Sequence, residues 1–348
     1  MNKYSLCNFL IVLTLLSIII IGDVKVLTAA EPVGAAAGAS VLPAVKDFET
    51  SEVCSLKTGS GSEEISLGET KGPKFLSCGP SSFALDKNER LYIVDAMNFK
   101  VLLIDKGKVV KVLRYPEGET QKHKFYISDI AVSNDGKTLY LLNQTLKSLF
   151  VMNENGKIKN EIKFSKQTVR PSKIYIAENG NVVIRDGGGI KTLVYSPAGK
   201  LLGSLAGGEI SNIVNRDGFL YVLGEFDKDG RDILLMDPLH DRKSKVFARL
   251  TKVIKETKPY DYQIIGTDAK QNLYASIVEK IREDVIQTML YKFGKDGKVM
   301  SRTKILPFKQ LWNTSPTRHF AVSPAGNVYA FASDDKFERL LIYKVTSK

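Results

Sequence analysis

Six polar side chains, Ser82, Asp129, Lys173, Asn212, Gln263 and His319, recur at near-regular intervals, each at the start of a short apolar run. Asp129, Asn212 and His319 are types that coordinate cations. A good calcium site wants about six or more oxygens, whereas this set holds one clear carboxylate and includes Lys173, whose ammonium opposes a cation. Other chemistry finds little support. The three histidines are far apart, so there is no H-E-x-x-H, and neither C-x-x-C-H nor G-x-S-x-G is present. The glycines of "RDGGGIK" sit in a strand connection, not between a strand and a helix, so they do not read as a phosphate loop. "FDKDGRD" brings Asp227, Asp229 and Asp232 together but lacks the remaining acidic positions of a calcium loop; Asp229-Gly230 between two apolar runs reads as a hairpin turn.

What spaces the six side chains is a repeat. Its first run appears as "SFALD", "DIAVS", "KIYIA", "NIVNR", "IIGTD" and "HFAVS", followed by turn residues. The second run appears as "LYIVD", "LYLLN", "VVIRD", "LYVLG", "LYASI" and "VYAFA", with Tyr92, Tyr140, Tyr221, Tyr274 and Tyr329 at one aligned position. Successive second runs are 48, 43, 38, 53 and 55 residues apart. A third apolar run follows in every copy, and a more polar fourth run in five of the six. The runs are too short and too alternating for helices. They predict an all-β chain, a six-bladed β-propeller of four-stranded antiparallel blades. The last copy lacks its fourth strand, and an N-terminal strand at about 63–68, "EEISLG", is expected to complete it, because an open ring would leave unpaired edges.

Pro80, Ala84, Leu85, Asp86, Leu91, Tyr92, Val94, Asp95, Asn98 and Val101 resemble the NHL repeat of the TolB-like/NHL superfamily of six-bladed propellers. The match is strongest over residues 80–105 and eroded in later copies, and Lys100 stands where the repeat has arginine. The resemblance implies a fold and a ligand-binding habit. Its members include scaffolds and a few enzymes, so no chemistry is carried over. Six-bladed hydrolases and lyases hold calcium or zinc in the central channel, where the six repeated side chains should converge. The alternative to a binding role is therefore a metal-dependent hydrolase or lyase using Asp129, Asn212 and His319.

In such a ring the two faces differ. Turns between strands one and two and between three and four carry Lys87, Arg90, Lys137, Lys157, Lys200, Lys243, Lys245, Lys270, Lys295 and Lys298, a basic face that could take an anionic envelope polymer. The opposite face carries the connections between blades, three of them long, with His123, Tyr126, Arg170, Tyr260, Tyr262, Trp312 and Arg318. Long loops on a rigid scaffold and aromatic or arginine anchors favour binding. The leading expectation is an exported, non-catalytic binding propeller engaging a protein or carbohydrate partner through these loops, with no cofactor.

Residues 1–30 read as a secretory signal: Lys3, then the apolar run Phe9 to Ile21, then small residues. Extension of the run back through Leu6 leaves an uncleaved anchor as the alternative. Residues 31–53 read as a linker and 54–348 as the propeller. Without the signal the chain has 48 basic and 37 acidic side chains, a net charge of +11. Export, to the periplasm, the exterior or the outer face of the cytoplasmic membrane, argues against a nucleic-acid partner. Cys54 and Cys78, the two cysteines after the signal, suggest a disulfide in an oxidising compartment.

Overall fold

Each copy of the repeat folds into one four-stranded antiparallel sheet, and the sheets form a six-bladed propeller. The computed structural model describes residues 48–67, 79–115, 127–206 (except 134, 167, 178 and 188–190), 213–214, 219–237, 244–252, 259–305 (except 283–284) and 318–347 (except 335 and 337). Blade 1 is β2 (Pro80–Leu85), β3 (Leu91–Asp95), β4 (Lys100–Asp105) and β5 (Lys108–Arg114). Blade 2 is β6 (Ile127–Val132), β7 (Thr138–Asn143), β8 (Ser148–Asn153) and β9 (Ile158–Lys163). Blade 3 is β10 (Pro171–Ile176), β11 (Val182–Asp186), β12 (Lys191–Tyr195) and β13 (Leu201–Ala206). Blade 4 is β14 (Ile213–Val214), β15 (Leu220–Phe226), β16 (Gly230–Met236) and β17 (Ser244–Thr251). Blade 5 is β18 (Pro259–Thr267), β19 (Leu273–Arg282), β20 (Val285–Phe293) and β21 (Val299–Ile305). Blade 6 is β22 (Phe320–Val322), β23 (Val328–Ser333), β24 (Arg339–Ser347) and, from the other end of the chain, β1 (Phe48–Lys57).

The middle strands are continuous apolar runs because neighbouring blades cover both of their faces; every residue of β3 is buried. The outer β5 faces solvent and mixes exposures: Lys108, Val110 and Arg114 are exposed, Val109, Lys111 and Val112 half-buried, and Leu113 buried. Among the described residues, six clusters of buried apolar side chains, one at each seam between blades, make up the core. Each fully buried Leu, Ile or Phe contributes about 1.5–3 kcal/mol. The repeated tyrosine latches some of these seams. Tyr92 Oη donates to Asp86 or to Gly136 O in the next blade, and Tyr329 Oη donates to Glu89 in blade 1. Gly136 has a φ of +72°, and a Cβ there would collide with Tyr92, Asp86 and Arg90.

The closing strand differs from the expectation. β1 pairs antiparallel with β24, from Phe48 opposite Ser347 to Lys57 opposite Arg339, with a bulge between Glu52 and Cys54. The strand that completes blade 6 is thus Phe48–Lys57, not residues 63–68, and it starts inside the stretch read as linker. As an outer strand it needs few apolar residues, so "FETSEVCSLK" gave little signal. Residues 58–67 instead cross to blade 1. Ile65 and Leu67 are buried at the seam between blades 6 and 1, and Thr58 and Ile65 form an isolated bridge.

Lys100 holds this crossover in place. Its ammonium, fully buried, donates to the carbonyls of Gly61 (2.5 Å), Ser62 (3.2 Å) and Glu64 (2.7 Å) and lies 3.7 Å from Asp95. At the same seam Glu89 accepts from Ser323, Asn327, Tyr329 and Lys344 of blade 6. Burial works against its charge, but those four donors outweigh it and hold the carboxyl at about 2.

Cys54 is a free thiol, not half of a disulfide, and is buried in the core between blades 6 and 1. Burial, reinforced by Glu52, raises its pKa to about 11. Its expected partner Cys78 lies outside the described residues, as do the signal and the stretch 31–47.

Candidate functional site at the tunnel mouth

The innermost strands of blades 1, 2 and 3 share an irregularity. A bulge falls between Pro80 and Ser82, between Ile127 and Asp129, and between Pro171 and Lys173. The extra residue is a serine each time, Ser81, Ser128 or Ser172, and a bulge re-aims the side chain that follows it. Ser82, Asp129 and Lys173 thus occupy equivalent positions at the mouth of the tunnel, on the face that carries the connections between blades. Gln263 pairs with Ser276 as Ser82 pairs with Val94, which puts it at the same depth in blade 5.

Asp129 is the hub. One carboxylate oxygen accepts from Ser82 Oγ and from Arg318 Nε at 2.8 Å. The other accepts from Arg318 Nη2 and from Ile174 N, both at 2.8 Å. Arg318 Nη2 also donates to Ile174 O, and the guanidinium lies 4.7 Å from the centroid of the Tyr175 ring. The pair therefore bridges blades 1, 2, 3 and 6 and satisfies backbone groups on the tunnel-facing edge of β10. Asp129 is 0% and Arg318 16% exposed. Burial works against the arginine's charge, but Asp129 outweighs it and raises the Arg318 pKa. A bidentate arginine over an aromatic ring is a rigid plug.

A pocket of about 220 Å³ adjoins the plug, lined by Leu85, Val132, Ile176, Ile265 and Val322 together with Tyr175 and Arg318. Around the plug stand Lys173, Arg185, Asp261 and His319. Burial, then repulsion from Arg318, lowers the Lys173 pKa to about 8. Burial, then Lys173, lowers that of His319. Asp261 Oδ2 accepts from Gln263 Nε2 at 2.6 Å.

Of the expected tunnel residues, the structure therefore brings Ser82 and Asp129 into contact, sets Lys173 and His319 within electrostatic reach of each other, and ties Gln263 to Asp261. Arg318, expected among the loop anchors, belongs to the tunnel. Tyr262, expected beside it, lies in β18 and is buried in the seam between blades 4 and 5, with Arg231 5.8 Å from its ring centroid. Arg170 is exposed on the loop face. Asn212, Tyr126, His123 and Trp312 lie outside the described residues, as does the side chain of Tyr260.

Tyr175, Arg185 and Asp261 were not singled out from the sequence. A signal for Arg318 was there: the residue before each tunnel-mouth position is serine in the first four copies, Tyr262 in the fifth and Arg318 in the sixth. The metal reading does not fit what is described. Asp129's lone pairs are taken by four donors, Arg318 supplies the positive charge, and no group of three or more potential ligands converges among the described residues. Asp227 accepts from Asp229 N and Gly230 N and pairs with Arg249, a braced hairpin turn. On the basic face, Lys87, Lys137, Lys157, Lys200, Lys245, Lys270, Lys295 and Lys298 are exposed, whereas Asp86 draws Arg90 inward. Lys243 lies outside the described residues.

No protein-family model matches the chain, and no curated protein does. Among solved structures, a member of the DUF4221 family from Bacteroides vulgatus is similar over 87% of this chain and 99% of its own, with a TM-score of 0.58 and 10% identity. The likeness is one of fold. A streptogramin B lyase and a gluconolactonase from Xanthomonas campestris, each at a TM-score of 0.49, cover 86% and 77% of this chain, and 98% and 85% of their own, at 9% and 14% identity. At that distance they carry no argument about activity, and the NHL assignment stays a resemblance.

Proposed function

We propose that the chain is an exported, non-catalytic binding propeller that engages a protein or carbohydrate partner on the face carrying its inter-blade connections. What supports this reading is the plug. The carboxylate that a channel enzyme would need for metal or proton chemistry is tied by four hydrogen bonds into a bridge across four blades. The mouth is in this respect a rigid platform, and rigidity lowers the entropic cost of binding. The test is surface plasmon resonance of the full chain against purified envelope polysaccharides and envelope proteins. One partner is expected to bind, and to weaken about tenfold in an Arg170→Ala, Trp312→Ala double variant of unchanged thermal midpoint. Turnover of any bound partner, abolished by Asp129→Asn in a folded protein, would overturn the reading.

A further inference from the structure

We infer that the corner where blades 2 and 3 meet, on the face that carries the inter-blade connections, docks an acidic protein segment that seats an aliphatic side chain against Leu146 and Val169. This deepens the binding reading above and rests on it: it selects a protein over a carbohydrate and gives the contact a place. Among the described residues, seven large apolar side chains are exposed. Four of them, Val110, Leu202, Val246 and Met300, stand one per blade on the outer strands β5, β13, β17 and β21. Scattered singly, such residues need no explanation. The other three, Met97, Leu146 and Val169, lie on the connection face, and two of these share one corner: Leu146, 44% exposed, and Val169, 52% exposed.

Hydrogen bonds join the two segments at both ends. Gln144 Nε2 donates to Pro171 O at 3.2 Å, and Phe164 N donates to Lys147 O at 3.0 Å. The main chain of the corner is also held from inside. Fully buried Asn143 accepts from Leu146 N at 2.8 Å, and fully buried Asp186 accepts from Val169 N at 2.7 Å and from Arg170 N at 2.6 Å. Tyr195 Oη accepts from Ser165 N at 3.2 Å and bonds Thr168 Oγ1 at 3.0 Å. Buried polar groups thus fix the backbone of a connection whose Val169 and Arg170 side chains stand in solvent. A backbone fixed beforehand loses little entropy when a partner arrives.

Charge narrows the partner. Every charged side chain in residues 144–147 and 163–171 is a cation, Lys147, Lys163, Lys166 or Arg170, and all four are exposed. The carboxylate that serves the corner, Asp186, is turned inward. An anionic polysaccharide would answer the cations but set hydroxyls against Leu146 and Val169. A protein segment with acidic side chains around an aliphatic one answers both, in the pattern of an apolar centre with a polar rim. Blade 1 lacks this combination. Met97 is exposed there, but Asn98 beside it donates to Gly59 O in the crossover that carries Glu63 and Glu64.

The experiment selects a displayed library of random dodecapeptides on the immobilised full chain, then measures the enriched sequences as synthetic peptides by fluorescence anisotropy. Enriched peptides should carry net negative charge and at least one Leu, Ile, Val or Phe. Leu146→Ser with Val169→Ser should weaken them about tenfold, Lys166→Glu with Arg170→Glu about tenfold or more, and Met97→Ser less than about twofold. For the unaltered chain, raising salt from about 50 mM to about 500 mM should weaken binding about fivefold or more, a readout that needs no variant. Circular dichroism and thermal midpoints report whether each variant is folded. No enrichment, neutral or basic winners, a flat salt response, or affinity that survives both double variants would overturn the inference. Phosphatidylglycerol vesicles or polygalacturonate that bind more tightly than any peptide, and are lost in the same variants, would overturn the protein class. A partner from the plasmon-resonance panel that binds both folded double variants as tightly as the unaltered chain sinks this inference alone. An empty panel together with no enriched peptide sinks the broader reading with it.

Discussion

Lys100 and Lys173 are both drawn out of water, and burial lowers the pKa of each. Their ammonium groups are treated differently. Lys100 is capped by three backbone carbonyls and the nearby Asp95 carboxylate, so its protons have partners and its position is fixed. Lys173 has none of these among the described residues and lies within electrostatic reach of Arg318 and Arg185. A desolvated cation with complete partners holds a fold together; one without them costs stability. The same contrast separates Arg318 from Lys173 within the tunnel itself.

Substitution tests that contrast directly. Arg318→Leu and Lys100→Met should each destabilise the chain by about 3–5 kcal/mol, because each leaves a buried acid without its cation. Urea unfolding would show it, and a loss under about 1 kcal/mol in either variant would break the contrast. A smaller effect is expected at Glu89, whose folded pKa of about 2 lies below its ordinary 4.5. Its contribution is complete above pH 4.5 and disappears as pH falls toward 2. Between those limits Glu89→Gln should flatten the acid limb of the stability curve by about 1–2 kcal/mol, discounted for its partial exposure. Lys173→Met should have the smallest effect and the opposite sign, a gain of about 1 kcal/mol or less at pH 7 that vanishes above pH 10.5, where the lysine is neutral folded or unfolded. A loss comparable to that of Lys100→Met would erase the distinction.

The blades were legible because their middle strands are covered on both faces and read as unbroken apolar runs. In "LYIVD" and "VLLID" the polar residues are confined to the strand ends, apart from the hydroxyl of Tyr92. The closing strand was not, because an outer strand carries Glu49, Ser51 and Glu52 as comfortably as a linker does. Ile65 and Leu67 imitated a strand for a physical reason: they fill the seam it was expected to cover. At the tunnel mouth, the repeat located Ser82, Asp129 and Lys173, but pairing is a three-dimensional fact. Nothing local to "TSPTRHF" says that Arg318 reaches across the ring, and Tyr262 looks the same in sequence whether it anchors a partner or fills a seam.

The span of one contact bears on how the molecule is made. Asp129 and Arg318 are 189 residues apart, and β1 can find its partner only when β24 exists. While the chain leaves the ribosome, five blades can form with their first strands facing an unfinished bore. The last thirty or so residues then deliver both the arginine that bars it and the edge that welcomes the waiting amino-terminal strand, so a chain truncated there is expected to expose two sticky edges at once.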